Sequence, residues 1–351
     1  QKYAAQVLVG IQTSTPLKRL VYRVARAIAR PWLRARWSGR ANPFLEVAYR
    51  VAHWVAFRPL LSQLGFDRLR YAISGGAPLP PEVMALWQMH GINLGEVYGQ
   101  TETGGAVISA QRAHFPRPGD VGLPASGWQA RLADDGEIQV RGPDMFEGYL
   151  GNPQATADLM GADGWMHTGD IGKWTEENQL CIIDRARDFI VTAGGKSISP
   201  SYIENILRAS PYVSEAIVFG DGRKYLTALV EIEYETVTEW ARARNLTYTG
   251  FSNLTENPAI RGLIWSEAEK ANSQLARVEQ IKAVRLLPRE FDPEDESEPI
   301  TPTRKIKREL LYRKYLSLVE TMYGDSEETL VAEGVGDLLQ HTQAGGAGRN
   351  P

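Results

Sequence analysis

The chain has 351 residues, a formal net charge of −3, 43% hydrophobic and 23% charged residues. That length suggests two or three domains, and the composition is that of a globular protein. The mildly acidic balance gives no reason to expect nucleic acid as a partner, and no run approaches the ~18 apolar residues of a membrane span.

Residues 17–40 carry eight Lys/Arg and no acid. Leu17, Leu20, Val21, Val24 and Ile28 fall on one helical stripe, and Arg19, Arg23, Arg26 and Arg30 on another. This predicts an amphipathic basic helix closed by Pro31. The pattern fits a helix covering a core, and it also fits peripheral adsorption on a membrane surface.

Residues 69–74 (LRYAIS) read as a buried strand, followed by the turn Gly75-Gly76-Ala77-Pro78 and a helix from about Pro81 to His90. A short strand then enters VYGQTETGG (97–105). Strand, glycine turn, helix, strand is an α/β pattern. A tight glycine turn lets backbone approach a flat ligand. In the second turn Tyr98, Gly99, Thr101 and Glu102 stand together. Bared N–H groups and a threonine suit phosphate, a tyrosine can stack on a base, and a glutamate is a hard ligand for Mg²⁺. An ordinary polar turn is the plain alternative.

From about 115 to 184 short alternating segments and turns predict a small antiparallel sheet or barrel. Within it GWMHTGD (164–170) ends in Asp170 behind Gly169. That carboxylate suits ribose hydroxyls, or marks a strand-end turn. Cys181, the one cysteine, lies in the apolar run LCII and reads as a small buried residue of a reducing compartment. The charge cluster DRARD (184–188) suits a boundary or hinge, with Arg185 a candidate anion or ribose donor.

A second unit follows. DFIVT leads into Ala193-Gly194-Gly195-Lys196, then a helix capped by Ser199 with Pro200 at its first position. Strands are expected at about 213–219 and 224–233, and a long helix near 258–278. The acidic loop FDPEDESEPITPT precedes a basic helix, RKIKRELLYRKYLSLVE. Lys305, just past the Thr/Pro loop, could meet phosphate as a point charge, or belong to a solvated charge run. Residues from about 325 on, ending QAGGAGRNP, read as a disordered tail.

The glycine turn, YGQTET, TGD, DRxRD…AGG and PTxK stand in the order found in the AMP-forming acyl-CoA synthetases and the wider adenylate-forming superfamily. From about residue 65 to 320 the sequence resembles that superfamily. Its IIDRARDFIVTAGGKSISPSYIEN, GDGRKYLTALV and ITPTRKIKRE look most like bacterial long-chain fatty acid–CoA ligases. The resemblance implies an α/β fold in five parts: 1–114 a partial α/β subdomain of the large AMP-binding domain, 115–184 a small β-barrel subdomain, 185–188 a hinge, 189–325 an α+β lid domain and 326–351 a tail. It implies ATP, CoA and a fatty acid as substrates and Mg²⁺ as the metal, with an acyl-adenylate as the intermediate; the expected place is the cytoplasm, or peripheral on the inner face of the membrane through residues 17–40.

The resemblance also implies residue roles. Tyr98 and Gly99 would meet adenine, with Gly75, Gly76, Ala77 and Pro78 as the pocket wall. Thr101 would bond the α-phosphate and Glu102 would bind Mg²⁺. Asp170 and Arg185 would hold the ribose. Lys305 would bridge carboxylate and phosphate. Arg187 would be the hinge, and Ala193, Gly194, Gly195 and Lys196 would line the CoA channel. The Ser/Thr/Gly-rich phosphate loop of the superfamily is not found, because QTSTPLKR (12–19) lacks its glycines. The chain is therefore expected to be the C-terminal portion of a longer synthetase, weak or inactive alone. Two alternatives stand beside the ligase: an acyl-AMP ligase delivering to a carrier protein, and a non-catalytic nucleotide-binding remnant.

Overall fold

A computed structural model describes residues 2–323 apart from positions 13, 41, 106 and 303; the expected tail at 326–351 lies outside the described residues. The chain divides into two compact units. One is Val7–Asp188, and the other runs from Phe189 and also takes in residues 2–6.

After α1 (Lys2–Gln12) comes α2 (Pro16–Trp37), capped by Thr15 with Pro16 at its first turn. Pro31 does not close α2, contrary to expectation; the helix continues to Trp37. A mid-helix proline costs about 3 kcal/mol. Burying Trp32 and Leu33 just beyond it recovers that, at about 1.5–3 kcal/mol per large side chain. Trp32 stacks on Tyr49, with ring centroids 3.5 Å apart, and its indole N–H donates to Glu46 at 2.8 Å. These contacts join α2 to α3 (Pro43–Ala52), which passes through a π-helical turn at His53–Phe57 into α4 (Arg58–Gln63).

The strand expected at 69–74 is shorter, β1 (Ala72–Ser74), and it is not buried: Ile73 is exposed. Helix α5 (Pro81–Met89) follows, then β2 (Leu94–Tyr98), which pairs in parallel with β1, Ser74 opposite Glu96. Short strands β3 (Ser109–Ala110) and β4 (Leu123–Pro124) complete that sheet in the order β1-β2-β3-β4. The predicted second sheet is an antiparallel meander of β5 (Gln129–Leu132), β6 (Glu137–Arg141), β7 (Met166–Trp174) and β8 (Leu180–Arg185). Helix α6 (Pro153–Leu159) lies between β6 and β7. Ile138, Val140, Met166 and Leu180 form the core of this part with Tyr98 and Ile108. Cys181 is half-buried, its thiol donating to the Gly119 carbonyl.

The second unit begins with the hairpin β9 (Ile190–Val191) and β10 (Ser197–Ile198), and α7 (Pro200–Arg208) with the expected Ser199 cap. A sheet of β11 (Val213–Phe219), β12 (Leu226–Ile232) and β13 (Ile281–Leu286) has β12 at its centre, antiparallel to β11 and parallel to β13. Between β12 and β13 come α8 (Tyr234–Arg242), α9 (Phe251–Glu256) and α10 (Pro258–Asn272). Helix α10 stops six residues before the expected 278, at a turn that starts with Ser273. Strand β12 alternates as a strand must. Leu226, Ala228, Val230 and Ile232 pack with α7 and α10 residues, while Tyr225 and Leu229 pack with α11 (Arg308–Glu320). Among the described residues no helix is long and apolar enough to cross a membrane.

Candidate nucleotide site and lysine loop

In the first unit the parallel pair β1/β2 puts two turns at the carboxyl ends of neighbouring strands, where α/β sheets bind ligands. Gly75 must be glycine: a Cβ there would stand 2.7 Å from Val97 Cγ2. Gly76 has φ +81, in the left-handed region. The far end of this turn is held by Glu96, whose Oε1 accepts the Leu79 N–H at 3.2 Å. Burial pushes the Glu96 carboxyl up to about 7, against the pull of that bond.

The β2 turn continues through Thr101–Thr103, a single 3-10 turn ending at Gly104 in the left-handed region. Thr101 is exposed. Glu102 is half-buried, and its Oε1 accepts the Tyr149 hydroxyl at 2.6 Å. That bond holds the phenol's proton and raises its pKa. The Glu102 carbonyl accepts the Phe146 N–H, so the 146–149 segment is fastened at two points. Among the described residues no three His, Cys, Asp or Glu side chains gather into a metal site. A lone carboxylate with one oxygen engaged still fits Mg²⁺, which takes one or two carboxylates beside substrate phosphates and water.

Asp170 is the meeting point of the site. Its Oδ2 accepts the Tyr98 hydroxyl at 2.6 Å and the Gln100 amide at 2.7 Å. Its Oδ1 lies 3.5 Å from Arg185 Nε, across the β7/β8 register that pairs the two residues. Glu137 of β6 holds the turn before it, accepting the Gly169 N–H at 2.9 Å. Desolvation raises the Asp170 carboxyl, with Tyr98, Arg185 and Gln100 opposing. A carboxylate has about four lone-pair positions; two are used on Oδ2, and Oδ1 is engaged only loosely. The site can therefore still accept hydroxyl donors. Tyr98 is 7% exposed, so most of its ring is packed in the core.

The candidates of the second unit form two exposed loops. Ala193, Gly194, Gly195 and Lys196 are the tip of the β9/β10 hairpin, closed by the Thr192 N–H to the Lys196 carbonyl. Lys305 is exposed and sits in a tight turn. Its N–H donates to Thr301 Oγ1, and Ile300 bridges to Ile306. Arg304 has φ +60, strained for a residue with a Cβ. Two buried carboxylates flank the turn. Glu231 pairs with Arg304 at 3.5 Å and accepts the Phe291 N–H. Glu204 pairs with Arg308 at 2.6 Å and accepts the Val218 N–H. Arg187 is largely exposed, in a 3-10 turn ending where the first unit ends.

Sequence reasoning brought Tyr98, Asp170 and Arg185 forward, and the structure brings these three together. It missed Gln100, Glu96, Tyr149, Glu204 and Glu231. Glu96 and Glu231 each stand alone in an apolar strand, and that was a usable signal, because a buried carboxylate must be partnered. Tyr149 gives no such signal, since its partner lies 47 residues away.

Two family descriptions match this chain: AMP-binding enzyme over residues 21–150, and AMP-binding enzyme C-terminal domain over residues 187–327. Asp170 and Arg185 lie between the two. The long-chain-fatty-acid–CoA ligase FadD15 of Mycobacterium bovis is 36% identical over 308 residues, which are 87% of this chain and 50% of that protein. The peroxisomal long chain acyl-CoA synthetase 7 of Arabidopsis thaliana is 33% identical over 78% of this chain and 41% of its own. The chain thus spans about half the length of the curated relatives it matches. Among solved structures, the adenylation domain of a carboxylate reductase from Mycobacterium chelonae superposes with a TM-score of 0.60 at 22% identity, over 88% of this chain and 46% of that one. The corresponding domain from Segniliparus rugosus, solved with AMP and a carboxylic acid, gives 0.59 at 20%, over 87% and 46%. At those identities the superpositions speak for the fold alone. The motif order, the two family matches and the relatives at 33–36% identity lead to one conclusion: the chain belongs to the AMP-binding, adenylate-forming enzyme family.

Proposed function

We propose that this chain is the nucleotide-gripping and lid portion of a long-chain fatty acid–CoA ligase. The reaction would join ATP and a fatty acid into an acyl-adenylate and pyrophosphate, then pass the acyl group to the thiol of CoA with release of AMP. The observation that carries the reading is the convergence of Tyr98, Gln100 and Arg185 on Asp170. A carboxylate held on one oxygen and open on the other is a receptor for a vicinal diol.

In this reading Asp170 accepts both ribose hydroxyls and Arg185 flanks them. Tyr98 and the Gly75–Pro78 turn wall the base, with Gly99 beside it. Thr101 donates to the α-phosphate. Glu102 would hold Mg²⁺, which when bound offsets phosphate charge. Attack of a carboxylate on a triphosphate brings two anions together, so cations aimed at that point matter most. Lys305 is suited to it: its exposed ammonium stands on an anchored turn. Arg187 would serve as the hinge and Ala193–Lys196 as the CoA-side loop, with Lys305 acting in the first step only.

Calorimetric titration of the chain with AMP tests the grip. Saturable binding is expected, weakened about tenfold to a hundredfold by Asp170→Asn, as for a hydrogen bond to a charged group. A chain that ignores AMP would remove the reading. In the full-length protein, Lys305→Ala should lower ATP–pyrophosphate exchange and leave AMP binding, and thioester formation from supplied acyl-AMP and CoA, intact. Equal loss in both half-reactions would put the role of Lys305 elsewhere.

A further inference from the structure

The carboxylate at the centre of the candidate site stands on an irregular stretch of strand. Strands β6 and β7 pair with Gln139 opposite His167, and then with Glu137 opposite Ile171. Between those pairs β6 supplies only Ile138, while β7 supplies Thr168, Gly169 and Asp170. The surplus makes a bulge, and a bulge beside a site re-aims a side chain. Here that side chain is Asp170, which meets Tyr98 and Gln100. Gly169 carries the bend at φ +69, where a residue with a Cβ is strained.

A bulge breaks the ladder, so its N–H groups must find other acceptors. The Asp170 N–H donates to Thr168 Oγ1 at 3.1 Å, and the Thr168 hydroxyl donates to the Ile138 carbonyl at 2.6 Å. The Gly169 N–H donates to Glu137 Oε1 at 2.9 Å. The other oxygen, Oε2, lies 2.6 Å from His167 Nδ1. The Glu137 carboxylate therefore spans the bulge, with His167 before it on one oxygen and Gly169 within it on the other. Glu137 is itself fixed from behind. Its N–H donates to Asp135 Oδ1 at 3.0 Å, and its carbonyl accepts the Ala133 N–H at 2.8 Å.

We propose that Glu137 is a positioning residue of the nucleotide site: by holding the Gly169 N–H it keeps the β7 bulge in shape and so fixes the direction in which the Asp170 carboxylate meets a ribose diol. The proposal rests on the reading of Asp170 as the ribose receptor and adds the residue that aims it. Glu137 acts through Gly169 and not on the nucleotide. Its effect should be steep, because a carboxylate displaced by about 1 Å no longer makes hydrogen bonds of normal length.

Calorimetric titration of the chain with AMP and with 2′,3′-dideoxy-AMP tests it. The parent should bind AMP about tenfold or more tightly than the dideoxy nucleotide, which has no hydroxyl for Asp170. Glu137→Ala should lower AMP affinity about tenfold and leave dideoxy-AMP affinity within about threefold of the parent, so that the preference for the diol closes. Glu137→Asp keeps the charge but is one methylene short of Gly169. The same selective loss is expected there in smaller degree, and this variant carries the test if circular dichroism shows Glu137→Ala unfolded. Glu137→Gln keeps the reach and an acceptor, and should recover most of the AMP affinity that Glu137→Ala loses. A residue that merely supports the fold would weaken both nucleotides alike, and that result would overturn the proposal. So would an undiminished preference for AMP in Glu137→Ala and Glu137→Asp, or a Glu137→Gln as weak as Glu137→Ala. A parent that binds both nucleotides equally, or neither, removes the ribose role of Asp170 and the proposal with it, and the parent titration alone tells that failure from the others.

Discussion

Buried carboxylates serve opposite ends in the two units. In the first, Asp170 takes the Tyr98 hydroxyl and the Gln100 amide on one oxygen and leaves the other only loosely engaged. In the second, Glu204 and Glu231 each spend one oxygen on a backbone N–H and the other on an arginine. In the proposed reading Asp170 receives a ligand, whereas Glu204 and Glu231 hold their own neighbours. What they hold is the turn of Lys305, whose own side chain stays exposed. A binding carboxylate must keep lone pairs in reserve. An anchoring one must not, because an unsatisfied buried charge costs several kcal/mol.

Breaking the anchor should have the largest effect. Glu204→Ala removes the carboxylate from the Arg308 guanidinium, only 27% exposed, and from the buried Val218 N–H. Loss of about 3–5 kcal/mol is expected for the second unit, read as a lower urea midpoint. A midpoint within error of the parent's would show that the pair anchors nothing.

Next in size is a pH effect in the first unit. Glu96 holds the Gly75–Leu79 turn, and burial pushes its carboxyl from 4.5 to about 7. The folded state therefore binds the proton more tightly than the unfolded state. The stability from protonated Glu96 is fully present below pH 4.5 and is lost as pH rises through 7, a change of about 3 kcal/mol. Glu96→Gln keeps an acceptor for the Leu79 N–H and does not titrate, so its stability should fall less over that range. Buried His90 is pushed down to about 4 and acts with the opposite sign between 6.5 and 4. The variant-minus-parent difference isolates Glu96, and a flat difference curve would show that it is not buried as described.

The smallest effect sharpens the comparison most. Tyr98→Phe keeps the ring and removes only the hydroxyl from Asp170. Gln100 and Arg185 remain, so AMP affinity should fall only severalfold, the equivalent of ~1 kcal/mol for one hydrogen bond. A loss as large as that of Asp170→Asn would mean the hydroxyl contacts the nucleotide itself.

Much of the fold was legible from local pattern. The glycine turns, the Ser199 cap, the antiparallel meander and the strands near 213 and 226 follow from period and turn chemistry, which act between near neighbours. Where reading failed, distant contacts had decided. Pro31 stays inside α2 because Trp32 finds Tyr49 and Glu46, and Ile73 is exposed because no described residue covers that face of β1.

The candidate site divides in the same way. The sequence by itself determined which side chains could serve, since Tyr98, Thr101, Glu102, Asp170, Arg185 and Lys305 are told by residue type and motif order. Only the tertiary structure decided their partners: Tyr98 with Asp170 across 72 residues, Glu102 with Tyr149 across 47, Arg304 with Glu231 across 73. No local pattern encodes such pairs. They exist because packed strands and helices bring remote backbone positions within hydrogen-bond reach, where burial makes each partner necessary.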